Sequence, residues 1–189
     1  IITMKFNKIF PRNIYGTTFL GFEKEYLRIL ESSIELLRRG DKNGIRASNE
    51  SFGWQSHFLP HTGPFEKLTT KIISICNDSL KEFNLNKATI HGMWANINYK
   101  GDINWPHKHA GSLSGVYYIS TYSNSGNLVL DNYDTQVDTI FEKIKGPPLG
   151  IKPHNDLLVL FDSSCIHHVE KNLSENPRIS ISFNIECDA

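Results

Sequence analysis

Two histidines stand two residues apart in Trp105-Pro106-His107-Lys108-His109, just ahead of the apolar run Leu113–Ser120. In an extended chain, residues i and i+2 project to the same face. His107 and His109 can therefore offer two imidazoles to one divalent metal ion, and a third ligand has to come from elsewhere. His167, in Ser163-Ser164-Cys165-Ile166-His167-His168-Val169, follows the apolar run 157–161. In a jelly roll, so late a strand can lie beside an early one and bring His167 to His107 and His109 across the barrel mouth. His168 points the opposite way from His167 in a strand. Cys165 shares the His167 face, as a conceivable soft ligand or, more simply, as a buried lining residue. In a second arrangement His109 lies outside the coordination sphere and Asp131 or Asp162 supplies a carboxylate; the i, i+2 spacing favours His107 with His109. Eleven residues past His167 comes Arg178-Ile179-Ser180-Ile181-Ser182-Phe183-Asn184. Arg178, Ser180 and Ser182 share one face, and Ile179, Ile181 and Phe183 read as core. A guanidinium with a hydroxyl two residues on is shaped to hold a carboxylate by charge-assisted hydrogen bonds.

The elements that must position these residues change character along the chain. Positions 22–39 read as an amphipathic helix with Phe22, Tyr26, Leu27, Leu30, Ile34 and Leu37 on one side, stopped by Arg38-Arg39 and a C-capping Gly40. Thr62-Gly63-Pro64 opens a second helix running to about Phe83. Positions 4–16 read as short and mixed, and 40–63 as a loop anchored by Trp54, with Gly53-Trp54-Gln55 as a substrate-side wall. From residue 88 the period becomes two. Strands are expected at 89–99, where Trp94, Asn96 and Asn98 share a face, and at 113–120, 127–131, 136–140, 156–161, 165–170 and 178–185, with 146–150 as a breaker. Close-spaced strands after two helices, without βαβ alternation, predict a β-sandwich or barrel.

With 189 residues, the chain suits one domain, 1–189, with a helical part over 1–87 and a β core over 88–186. Lys+Arg and Asp+Glu balance at 20 each, which leaves no electrostatic footprint for nucleic acid or an anionic membrane. No apolar run approaches the roughly 18 residues of a membrane span, and 1–10 lacks a signal-peptide core. Three cysteines without a Cys-x-x-Cys pair fit a reducing compartment, hence a cytoplasmic location.

Taken in order, these motifs resemble the Fe(II)/2-oxoglutarate dioxygenases, and within them a 2OG-Fe(II) oxygenase branch known mostly as hypothetical proteins. The resemblance rests on Ser48-Asn49 with Gly53-Trp54-Gln55-Ser56, on Trp94-x-Asn96-x-Asn98, on Pro106 to His109, on Ser114-Gly115-Val116-Tyr117-Tyr118, and on His167-x-Val169-x-x-Asn172 through Asn184. It implies a double-stranded β-helix (jelly roll, cupin-like) with the two helices packed on its sheet. It further implies an oxygenase, in all expectation a hydroxylase, that uses Fe(II), 2-oxoglutarate and O2. His107, His109 and His167 would bind the iron, while Arg178 and Ser180 would hold the far carboxylate of 2-oxoglutarate. By analogy with prolyl hydroxylases, Tyr118 would help Arg178, and Asn98 would line the co-substrate pocket. The chain departs from the superfamily at His109, which stands where an acid is usual. That departure keeps two alternatives in view: a non-catalytic cupin-like binding module, and a three-His dioxygenase that uses no keto acid. The primary substrate, peptide or small molecule, is not readable from these residues.

Overall fold

The structure is a computed structural model that describes residues 4–9, 13–49, 53–79, 81, 87–131 and 147–188. Its elements run β1 (Phe6–Lys8), β2 (Ile14–Phe19), α1 (Lys24–Gly40), β3 (Trp54–Gln55), a 3-10 turn (Gly63–Phe65), α2 (Glu66–Ser79), β4 (Lys87–Asn98), β5 (Asn104–His107), β6 (Leu113–Ser120), β7 (Leu128–Leu130), β8 (Leu149–Ile151), β9 (Leu157–Asp162), β10 (His167–Val169) and β11 (Arg178–Asp188). The strands form two antiparallel sheets, one of seven strands in the order β1-β2-β9-β6-β11-β4-β3 and one of four in the order β5-β10-β7-β8. This is the jelly-roll architecture expected from the sequence.

Strict alternation on the central strands builds the two layers. On β11, Ile179, Ile181, Phe183 and Ile185 are buried in the core shared with α1 and α2, as are Met93, Ala95 and Ile97 of β4. The facing side chains Arg178, Ser180 and Ser182, opposite Asn98, Asn96 and Trp94, turn into the space between the sheets. A second apolar cluster, including Val116, Val159, Phe161, Leu128 and Leu130, closes that space at one end. Tight packing between β6 and β11 explains Gly115. A Cβ there would lie 2.3 Å from the Phe183 ring and 2.7 Å from Leu160.

Several expectations need correction. Positions 4–16 are not a mixed lead-in, since β1 and β2 extend the large sheet beyond β9. Gly40 is the last helical residue rather than the cap, and the chain turns off at Asp41, whose N–H donates to the Leu37 carbonyl at 2.9 Å. Leu37 is 40% exposed and does not belong to the buried stripe. The second helix opens with a 3-10 turn at Gly63–Phe65, and its expected end at Phe83 lies outside the described residues. Leu149–Ile151 is a strand paired with β7, because the Gly-Pro-Pro break ends before Leu149. The strand expected at 136–140 also lies outside the described residues. Among the described residues, no helix is long and apolar enough to cross a membrane.

Candidate metal centre and co-substrate pocket

Strand pairing, not sequence distance, brings the histidines together. β5 lies antiparallel to β10 with His107 directly opposite His167. His109 sits two residues beyond the end of β5, where its backbone N–H donates to the Ser163 carbonyl at 3.1 Å. One ring nitrogen from each of the three falls within 4.8 Å of the others. Ring centroids are 4.3 Å apart for His107–His167, 4.9 Å for His107–His109 and 5.1 Å for His109–His167.

Two of the rings are held by the backbone. His107 Nδ1 lies 2.6 Å from the Trp105 carbonyl, and His167 Nδ1 lies 3.0 Å from the Cys165 carbonyl. A carbonyl only accepts, so each Nδ1 carries the proton and each Nε2 presents its lone pair. Burial favours the neutral ring. It pushes His109 down to about 4 with help from His107, and His167 down to about 3 with help from His107. His107 is lowered by burial as well. Three neutral imidazoles converging on one point make a donor set that fits a borderline divalent ion such as Fe(II).

The proposed carboxylate substitutes point elsewhere. Asp131 pairs with His168 at 2.7 Å, and Asp162 caps Ser164 through its N–H at 2.8 Å. The Cys165 thiol turns to the Asp131 and Ile166 carbonyls and is 3% exposed, as expected of a lining residue. The only histidine, cysteine or carboxylate group of three or more among the described residues that could hold a metal is His107, His109 and His167.

These rings open onto a cavity of about 630 Å³ whose walls also carry Asn98, Tyr118, Arg178 and Ser180. Arg178 is 1% exposed. Its Nη1 donates to the Ser125 and Gly126 carbonyls at 2.6 and 3.1 Å, and its other guanidinium nitrogens take no hydrogen bond among the described residues. The turn that supplies those carbonyls needs Gly126, which has φ of 82°, and a Cβ there would lie 2.2 Å from the Glu170 carbonyl. Burial pulls the Arg178 pKa down, while nearby Tyr118 and Asp102 oppose the shift. The Tyr118 phenol, pushed up to about 12 by burial, stays protonated and able to donate. Asn172, fully buried, donates to the carbonyls of Asn98 and Asn176 at 2.9 and 3.0 Å and so ties the approach to β11 onto the end of β4.

Among the other wall residues, Asn104, Phe58 and Trp105 had no such role in the sequence reading. Asn104 accepts from Asn98 at 3.1 Å and donates to Ser48 at 3.1 Å, fastening the 45–49 segment over the cavity. Asn49 reinforces that segment by donating to the Gly53 carbonyl at 3.0 Å, which gives the Ser-Asn motif its structural role. Trp54 is a core anchor, 3% exposed, with Nε1 on the Asp41 carbonyl at 2.7 Å; its neighbour Gln55 faces the cavity. Phe58 and Trp105 line the outer wall. Their signal in the sequence was position alone, next to Trp54 and to His107.

Residues 92–184, which contain every one of the proposed metal and co-substrate residues, match the family described as "Putative 2OG-Fe(II) oxygenase". That stretch is the 2OG-Fe(II) oxygenase part of the chain. Among solved structures it is similar to a Pseudomonas putida prolyl-4-hydroxylase, at 13% identity over 90% of this chain and 91% of that one, with a TM-score of 0.66. It is similar also to a viral collagen prolyl hydroxylase from Paramecium Bursaria Chlorella virus-1, at 14% identity over 93% and 96%, with a TM-score of 0.65. HygX from Streptomyces hygroscopicus, solved with nickel and 2-oxoglutarate bound, aligns at 10% identity over 91% and 82%, with a TM-score of 0.68. No curated protein matches the sequence. As a 2OG-Fe(II) oxygenase this protein uses Fe(II), 2-oxoglutarate and O2.

Proposed function

We propose that this oxygenase hydroxylates its primary substrate at a metal held by His107, His109 and His167, with Arg178, Ser180 and Tyr118 binding the far carboxylate of 2-oxoglutarate and Asn98 lining the pocket beside them. The observation that carries the reading is Arg178: a buried guanidinium aimed into the histidine cavity, with donors to spare and no carboxylate bound to it among the described residues. An ion in that position is stabilised by an anion arriving from solution.

Bound together, Fe(II) and 2-oxoglutarate supply the oxidative decarboxylation of the keto acid by O2 and, with it, the oxidation of a substrate C–H bond. The residues do the rest. Carbonyls of Trp105 and Cys165 keep Nε2 of His107 and His167 aimed inward. The Ser125–Gly126 carbonyls fix the guanidinium plane, leaving its remaining N–H groups for a bidentate carboxylate. Tyr118 and Ser180, opposite each other on β6 and β11, add hydroxyl donors at the same end. Three neutral histidines would leave the charge of a bound divalent ion uncompensated by the protein, which would favour an anionic co-substrate such as the keto acid.

Anaerobic titration with Fe(II) and 2-oxoglutarate tests the reading. A weak visible charge-transfer band is expected in the wild type and is lost in Arg178→Ala at the same 2-oxoglutarate concentration. A wild type that binds no iron sinks the reading. An Arg178→Ala protein with the full band removes Arg178 from the anchor.

A further inference from the structure

The outer half of the cavity has no assigned occupant. We infer that it receives an uncharged ring, packed against Phe58 and Trp105 and hydrogen-bonded by the side-chain amide of Gln55. This rests on the oxygenase reading only in taking the histidine cluster as the reactive centre.

Among the described residues, Phe58 and Trp105 are the two exposed large apolar side chains that line the cavity, at 72% and 49% exposure. Neither owes its exposure to a loose backbone. The segment carrying Phe58 is strapped to β4 by Ser56 N–H to the Ala95 carbonyl at 2.9 Å, by Ala95 N–H to Ser56 Oγ at 2.9 Å, and by Leu59 N–H to the Met93 carbonyl at 2.7 Å. Its ring rests on Gly92, where a Cβ would come within 3.0 Å of it. From there an aromatic path leads inward, with Phe58 6.2 Å from Trp94 and Trp94 5.7 Å from His109. Trp105 lies on the opposite sheet, in β5, where its N–H donates to the Ser48 carbonyl at 2.9 Å and its carbonyl holds His107. Aromatic faces fixed rigidly in water are unfavourable by about 25 cal/mol per Å² until something apolar covers them.

Charge narrows the occupant. Among the described lining residues Arg178 is the only Asp, Glu, Lys or Arg, and it stands four residues along β11 from Ser182, the partner of Trp94. No charged side chain among the described lining residues stands beside Phe58 to pair with an ionised group there. The polar side chains mostly bind one another, Asn96 to Ser182 at 3.0 Å and Asn104 to Ser48 at 3.1 Å. Gln55 is different, because its side-chain amide lines the cavity and makes no hydrogen bond among the described residues. One donor and one acceptor beside two aromatic faces suit a neutral ring bearing an amide or hydroxyl, whether a free compound or a ring side chain in a peptide.

Ligand-observed NMR on the full chain loaded with Zn(II) and 2-oxoglutarate tests this. The probe set holds equal numbers of neutral rings, neutral acyclic amides, carboxylates and amines, with the rings present both free and as side chains of doubly capped amino acids to distinguish the two sources. Neutral rings are expected to dominate the binders and to weaken about threefold to tenfold in Trp105→Ala and in Phe58→Ala. They should be unchanged in Phe19→Ala, whose ring is 55% exposed but outside the cavity. Gln55→Ala should weaken ring amides more than rings without a polar substituent. Charged or acyclic probes dominating, or Trp105→Ala and Phe58→Ala binding rings like the wild type, overturns the inference. The 2-oxoglutarate signal is read in the same samples. Its absence counts against the oxygenase reading, whereas its presence without ring binding counts against this inference alone.

Discussion

Replacing each of the three proposed metal-site histidines by alanine in turn should show that they are not equivalent. His107 and His167 face each other in the strand ladder, and each has its Nδ1 fixed by a carbonyl two residues earlier, at 2.6 and 3.0 Å. His109 lies past the strand end, and its ring makes no hydrogen bond among the described residues; its centroid is 4.9, 5.1 and 5.7 Å from the rings of His107, His167 and Trp94. An outer partner that orients a ligating histidine is worth about 10–100-fold in metal affinity, or about 1.4–2.8 kcal/mol. His107→Ala and His167→Ala remove a ligand together with that orientation, whereas His109→Ala removes a ligand that the protein orients less. Zn(II) affinity, measured by competition with a chromophoric chelator, should therefore fall about 10–100-fold further in the first two variants than in His109→Ala. His109→Asp, which supplies the usual acid, should bind at least as tightly as the wild type, since a carboxylate lowers the charge at the metal. Equal losses in all three alanine variants would refute the reasoning, because the carbonyl bonds would then contribute nothing that His109 lacks.

Two further outcomes follow from packing and ionisation. Gly115→Ala should lower stability by about 1–3 kcal/mol, read as a lower midpoint in urea, because the added methyl would lie 2.3 Å from Phe183. The metal-free protein should lose stability on acidification. His167 and His109 titrate at about 3 and about 4 when folded, below the ordinary histidine value of 6.5, so the unfolded chain binds more protons between pH 6.5 and 4. Stability therefore rises with pH across that window, by no more than about 1 kcal/mol per pH unit for each histidine once partial exposure is allowed for. Replacing His167 by Asn should flatten the slope in thermal melts between pH 4.5 and 7.

The parts of this molecule that were legible in its sequence are those where local pattern and tertiary demand agree. On β4 and β11 every second residue meets the helices, so Met93, Ala95, Ile97, Ile179 and Ile181 announce a strand, and the polar residues between them announce a cavity. His107, His109 and His167 could be grouped because metal chemistry limits the partners a histidine pair can take. What stayed hidden depends on neighbours distant in sequence. β8 has three residues and exists because β7 pairs with it. β3 has two, too few for any period. On β2 the outward Phe19, 55% exposed, blurs the alternation. The outer wall was hidden for the same reason: Phe58 and Trp105 become neighbours of the histidines only once the sheets are stacked.

The position of β11 has a bearing on how the protein comes to be made. It is the last described strand in the chain, yet it lies inside the large sheet, paired with β6 on one side and β4 on the other. During synthesis β4 and β6 emerge long before it and must wait with facing edges unpaired, as a sheet in two parts. Arg178 arrives on that same strand, eleven residues after His167. The nascent chain therefore cannot assemble the proposed anion pocket piecemeal. Closure of the sheet and completion of the site are one event, so a ribosome-bound chain stopped before Arg178 should expose two sheet edges open to pairing with other chains.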